Sequence, residues 1–344
     1  MFQQPVYLSV PAIKLARDKV TNSDIIAKVS NNFKGEAVEF ERIKSGINFI
    51  FKHCDTKIRY LGLENNKKPV DYAVDVCKQV CHENEIEIDS VGLIIYGGIY
   101  REYFEPATAM EIASGIGLKK ISAFDVTNAC AGLLQSVHLA AALMQTNSGI
   151  QNAICCSIDF PEEAINFDIQ SFDELSVKSA GLTLGGGASA WLLTRKLTPK
   201  GGARIVDFEN TSLPNSYNIC KVPVADRKFH SESKLIFDLG RENVPVEINF
   251  LLDRIGWNIT DIEFFITHQP SKRLIYEICR KVGVSIEKAP VIHHLFGNTV
   301  NSSIPMAMDY IFKEKKLKPG SKLIFNAAAA GFSMVTGAAV WENK

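Results

Sequence analysis

Short apolar runs bounded by polar turns alternate with longer helical stretches along the 344-residue chain. The runs at 6–10, 92–96, 123–126, 153–158 and 188–193 read as buried strands. A second set follows at 204–208, 264–267, 323–327 and 336–341. Strands alternating with helices predict an α/β fold. The stretch "AGLLQSVHLAAALMQ" is apolar almost all round, which predicts a helix buried between layers. The polar, irregular stretch from about 200 to 245 reads as a connection with surface loops.

The pattern repeats. "IEIDSVGLIIYGG" (86–98) and "WNITDIEFFITHQ" (257–269) each run from a polar turn into an apolar strand, with a helical segment ending near a glycine after it. "GGGASAWLLTRK" and "GFSMVTGAAVWENK" share glycine, small residues and tryptophan, so that Gly187–Trp191 matches Gly337–Trp341. Two matched pairs in one order predict a duplicated chain. We divide it into residues 1–200 and 201–344.

Composition narrows the class. Apolar residues make up 46% and charged residues 22%, and the formal net charge is zero. Nothing in this balance suggests a nucleic-acid or anionic-membrane partner. No run approaches the ~18 apolar residues of a membrane span. The N-terminal stretch has no signal-peptide pattern, so a cytoplasmic protein with eight free cysteines is expected. One helical turn separates Cys77 and Cys81, with His82 next to them, but no second Cys/His pair follows, and no metal site is expected. Cys155 and Cys156 fall in a buried-strand pattern that suits small apolar packing.

Three polar residues stand where apolar runs end. Cys130, in "DVTNACAGLLQS", follows a strand. Asn128 is a good helix cap, which predicts Cys130 in the first helical turn, where free N–H groups lower a thiol pKa. The alternative is a small buried cysteine. His268, in "ITHQPS", ends a strand and points toward a cleft or is structural. Asn298, in "HLFGNTVNSS", offers an N–H to an oxyanion or forms a Gly-Asn turn. His138, His293 and His294 read as packing residues.

Together "NACAG", "HQPS" and "FGNT" resemble the Cys-His-Asn set of the ketoacyl-acyl-carrier-protein synthase III family, in the same order. The segments "LTLGGGASAWLL" and "AAAAGFSMVTGAAVW" resemble the family's glycine-rich segments. The resemblance implies the thiolase fold, two duplicated α/β halves layered α-β-α-β-α. It implies that Cys130 carries an acyl group as a thioester while His268 and Asn298 stabilise an enolate. Backbone N–H groups of Cys130 and Ala330 would hold the tetrahedral oxyanion, although the family usually has glycine at position 330. "IKSGI" resembles the segment that contacts coenzyme A, which suggests Lys44 and its neighbour Phe40 as substrate contacts. The implied substrates are coenzyme A or acyl-carrier-protein thioesters, with no further cofactor.

"REYFEPATAM" resembles the "EPATA" stretch of acyl-CoA-condensing enzymes of bacterial olefin synthesis and is similar to segments of α-pyrone-forming ketosynthases. In those enzymes the glutamate reaches into the partner subunit's site and acts as base. The resemblance therefore implies a homodimer that joins two acyl or β-ketoacyl chains, with Glu105 removing an α-proton. The alternatives are a decarboxylating synthase that starts fatty-acid or polyketide assembly, an acyltransferase to an alcohol or amine, and a non-enzymatic heterodimer partner.

Overall fold

The computed structural model describes residue 2 and residues 4–344. The first part of the chain forms β1 (Tyr7–Leu8), β2 (Ala12–Leu15), β3 (Asp18–Thr21), α1 (Asn22–Asn32), α2 (Ala37–Cys54), β4 (Ile58–Leu61) and α3 (Pro69–Glu83). It continues through β5 (Val91–Gly97), α4 (Thr108–Ile116), β6 (Ser122–Val126), α5 (Gly132–Thr146), β7 (Asn152–Asp159), α6 (Phe172–Lys178) and β8 (Gly187–Thr194). The second part forms β9 (Gly202–Ser212), β10 (Cys220–Lys221), β11 (His230–Ser231), α7 (Ser233–Ile255), β12 (Ile262–Thr267) and α8 (Lys272–Val282). It closes with α9 (His293–Phe296), α10 (Ser303–Lys313), β13 (Lys322–Ala329) and β14 (Ser333–Glu342).

The topology repeats as the sequence does. β5 runs parallel to β7, which pairs antiparallel with β8; β12 runs parallel to β13, which pairs antiparallel with β14. The short strand β1 pairs with β8 on one side and β9 on the other, joining both sets into one sheet order, β12-β13-β14-β9-β1-β8-β7-β5-β6. The thiolase fold is therefore the architecture of this chain.

Side-chain alternation makes the layers. On β5, Leu93 and Ile95 enter a central core while Ile94 and Tyr96 enter an outer one with α3 and α4. On β13, Leu323 and Phe325 face the same central core while Ile324 joins an outer one with α7 and α8. α5 and α10 fill the centre, which explains the all-round apolar pattern of α5. The repeated tryptophans meet there too: Trp191 lies edge-on to Phe325 at 6.1 Å, and Trp341 packs at 6.0 Å from Phe312. Each such buried aromatic contributes on the order of 2 kcal/mol relative to exposure. A fourth apolar cluster, under α1, α2 and α6, reaches Cys130.

The stretch 200–245 corrects the sequence reading. It is no simple connection: β9 spans eleven residues beside β14, and α7 begins at Ser233. α7 escapes the helical pattern because it carries Pro245 inside and buries Glu247 on its apolar face.

Glu247 is 4% exposed, and its Oε1 accepts from the Thr336 hydroxyl at 2.6 Å. Burial raises its carboxyl to about 7 from 4.5. The folded state therefore holds a proton that the unfolded chain has lost between these values, and stability falls as pH rises through that window. The loss from this group is on the order of 3 kcal/mol. Glu247→Gln is expected to shrink the fall in unfolding free energy between pH 5 and pH 8 by about that amount, measured by urea denaturation.

Candidate active site

The Cys130 turn begins where β6 ends. Ala129–Ala131 form a single 3-10 turn, entered by Ala129 at φ 42°, a left-handed conformation uncommon for alanine. α5 starts only at Gly132, so Cys130 lies just ahead of the helix and not in its first turn. Asn128 does not cap that helix with its side chain. Its Oδ1 instead accepts from the Ser333 hydroxyl on β14. The thiol also differs from expectation: burial, then the nearby Cys220 and Asp159, push it well above its ordinary value. The resting side chain is a protonated thiol.

The turn sits tight against the end of β5. A side chain on Gly97 would stand 2.4 Å from the Gly132 carbonyl oxygen and from the Ser136 hydroxyl. Glycine here lets the strand end and the start of α5 touch, which sets the height of Cys130 above the sheet.

His268 follows the last residue of β12, and its N–H donates to the Asn326 carbonyl at 2.8 Å. The ring is buried, with Nδ1 2.7 Å from the Ser303 hydroxyl. That hydroxyl also lies 2.7 Å from the Val300 carbonyl. With Nδ1 engaged, Nε2 is the nitrogen left for a ligand. Burial, reinforced by His293, lowers the imidazole to about 4, so it is neutral at physiological pH. Because the Ser303 hydroxyl donates to the Val300 carbonyl, Nδ1 carries the ring proton here, and Nε2 becomes a neutral donor only when that hydroxyl turns to Nδ1.

Asn298 is held through its backbone, its N–H donating to the Thr183 carbonyl and its carbonyl accepting from the Gly185 N–H, both at 2.9 Å. Its Oδ1 accepts from the Val300 N–H at 3.0 Å, which leaves the amide NH₂ as the free end. Gly297 just before it has φ 70°, and a side chain there would stand 2.5 Å from the Thr183 carbonyl oxygen. Only glycine brings Asn298 this close to the loop ahead of β8.

One turn joins all three residues. Residues 298–303 supply Asn298 itself, the Ser303 partner of His268, and Asn301, whose Oδ1 accepts from the Leu133 N–H just past Cys130 at 3.1 Å. The Cys130 turn also touches β13 and β14, whose connection contains Ala330. Val300 within the hub adopts φ 47°, a strained conformation for a β-branched residue.

The other predicted residues lie elsewhere. Glu105 is exposed on the loop between β5 and α4. Asp125 anchors the base of that loop, accepting from Arg101 at 2.6 Å and from the Thr108 and Ala109 N–H groups at 2.8 Å. Lys44 pairs with Glu41 on the outside of α2, and Phe40 packs against Phe33 at the edge of the fourth cluster. His138 stacks on Phe208 at 4.7 Å, and His293 bridges the Thr56 hydroxyl and the Gln269 carbonyl. Cys77 lies in the outer core among β-strand residues. Sequence reasoning missed Ser303, Asn301 and Asp159. Their signal is the polar run "NTVNSS" opening a buried helix, and an aspartate closing the apolar strand "CCSID".

A family model described as 3-Oxoacyl-[acyl-carrier-protein (ACP)] synthase III matches residues 124–213, and the model of its C terminal matches residues 252–342. The beta-ketoacyl-[acyl-carrier-protein] synthase III of Clostridium novyi is 25% identical over 325 residues, covering 94% of this chain and 95% of that protein. OleA of Xanthomonas campestris with cerulenin bound superposes with a TM-score of 0.88 at 20% identity, over 99% of this chain and 98% of the other. The 3-oxoacyl-[acyl-carrier-protein] synthase III of Aquifex aeolicus gives 0.83 at 18%, over 97% and 99%. The chain belongs to the 3-oxoacyl-acyl-carrier-protein synthase III family. It is a condensing enzyme of the acyltransferase class.

Gly97→Ala is expected to cost about 2 kcal/mol through overpacking against Gly132. It should lower the melting temperature by several degrees in calorimetry.

Proposed function

We propose that this enzyme forms a carbon–carbon bond by Claisen condensation between an acyl group carried on Cys130 and a second acyl or β-ketoacyl thioester. The observation that carries the reading is the shared hub. It occupies Nδ1 of His268 and Oδ1 of Asn298, which leaves the imidazole Nε2 and the amide NH₂ as the free ends that a substrate oxygen would meet.

Residues 1–200 supply the nucleophile and residues 201–344 the two donors. In the first half-reaction the Cys130 sulfur attacks an acyl thioester of coenzyme A or acyl-carrier protein. A new C–S bond forms, the old one breaks, and the thiol proton leaves with the departing thiol. Backbone N–H groups of Cys130 and Ala330 hold the oxyanion of that step. In the second, Glu105 takes an α-proton from the other thioester, and His268 and Asn298 stabilise the enolate oxygen. The carbanion attacks the acyl carbon, the Cys130 C–S bond breaks, and the thiolate regains a proton. The sequence is redox-neutral, and thioesters supply its activation without a further cofactor. Lys44 and Phe40 lie at the α2 side, where the carrier arm would enter.

Glu105 acts across a homodimer. The support is its placement: β6 is the outermost strand of the sheet, and the Glu105 loop beside it carries Phe104 at 90% exposure and a half-exposed Tyr103. Unpaired strand edges and exposed aromatics mark association surfaces. The enzyme would work in the cytoplasm. The family relatives support a second reading, in which malonyl-acyl-carrier protein yields the carbanion by losing carbon dioxide and Glu105 is not needed.

The test uses wild type and Glu105→Ala with two isotopically distinct acyl thioesters, and separately with malonyl-acyl-carrier protein. Intact-protein mass spectrometry reads the Cys130 adduct, and product mass spectrometry reads condensation. The proposal expects an undiminished adduct and a fall of at least 100-fold in non-decarboxylative condensation for Glu105→Ala. Equal turnover of both proteins with malonyl-acyl-carrier protein, and none with two acyl thioesters, overturns it in favour of the second reading.

A further inference from the structure

The first N–H groups of a helix have no acceptor within it. At α5 the cap position is Ala131, whose methyl group can accept no hydrogen bond. The Ala131 N–H is met by the Asn128 carbonyl at 2.9 Å. The Leu133 N–H is met by no residue of its own segment. It donates to Oδ1 of Asn301, 168 residues further along the chain, at 3.1 Å in a buried setting. Gly132 leaves room for this approach, since a side chain there would stand 3.3 Å from that oxygen.

Asn301 is itself clamped. Its Nδ2 and its backbone N–H both face Oδ1 of Asp159, at 3.3 and 3.4 Å. The amide can therefore point only one way, with oxygen toward Leu133 and NH₂ toward the carboxylate. Oδ2 of Asp159 accepts from the Ser302 N–H at 3.0 Å and the Ser302 hydroxyl at 2.7 Å. Asp159 is 3% exposed and has no ion-pair partner among the described residues. A buried carboxylate met only by N–H and O–H donors is an expensive arrangement to keep, and these donors are what makes it tenable.

We propose that Asn301 is a positioning residue for the nucleophile: clamped by Asp159, it holds the start of α5 and so fixes where the Cys130 sulfur stands relative to His268 and Asn298. The inference rests on the reading of Cys130 as the acyl carrier. Asp159 ends β7 in the first half and Asn301 lies in the turn just ahead of α10 in the second, so the latch ties the start of α5 to the turn that carries Asn298 and the Ser303 partner of His268. It touches no reacting atom.

Three variants test the latch. Asn301→Ala removes the acceptor of Leu133. Asn301→Asp sets two carboxylates face to face. The double variant Asp159→Asn with Asn301→Asp exchanges donor and acceptor and restores the pair. Amide hydrogen exchange at Leu133 reads the bond, and the acylation of Cys130 by a saturating acyl-CoA reads its effect. In folded Asn301→Ala, the inference expects at least a ten-fold loss of protection at Leu133. It also expects at least a ten-fold fall in the first-order acylation constant, with KM for the acyl donor within two-fold. Asn301→Asp should be impaired as strongly, and the double variant should return to within about three-fold of wild type in both readouts. An unchanged acylation constant in Asn301→Ala, or a double variant no better than Asn301→Asp, overturns the inference. A wild type that takes up no acyl group overturns the proposed function instead, and Leu133 exchange then still decides whether the latch exists.

Discussion

The turn at residues 298–303 is the constraint on which the rest of this site depends. Six residues bond at once to the helix after Cys130, to the ring of His268, to the loop before β8 and to the buried carboxylate of Asp159. Each bond alone contributes on the order of 1 kcal/mol. Their joint effect is geometric. The segment after Cys130, the ring of His268 and the backbone of Asn298 are held to one frame, and the strained Val300 at its centre is tolerated because its neighbours over-determine it.

The duplicated fold explains why the frame can exist. In each half a buried helix feeds a strand that runs beside a parallel neighbour, so equivalent helix starts approach each other in the central layer. α5 brings the cysteine to that meeting point and α10 brings the polar turn. The outer layers do not reach it and carry the stabilising apolar mass. Glu247 is an exception in being charged-type and buried, and it sits in an outer layer, on Thr336.

The fold and the family were legible in the sequence, and so was the place of each candidate site residue along the chain. Cys130, His268 and Asn298 stand where apolar runs stop, and the two copies of the strand pattern, ending in Trp191 and Trp341, betrayed the duplication. What failed to show depends on partners far along the chain. Asn128 has the composition of a helix cap, but Ser333, 205 residues away, claims its side chain. The lowered thiol pKa expected at a helix start did not appear, because burial outweighs the few N–H groups nearby. α7 was hidden by a proline and a glutamate inside it. Asp159 lies just past the strand expected at 153–158, and only the fold shows that its acceptors serve Asn301 and Ser302.

The most direct measurement is a crystal structure of the protein acylated on Cys130 with a non-reactive thioester analogue in the second position. Nε2 of His268 and Nδ2 of Asn298 should both lie about 3 Å from the analogue's carbonyl oxygen, with the 298–303 turn unmoved. An imidazole or carboxamide turned away from that oxygen, or an acyl group found on another residue, would contradict the shared frame.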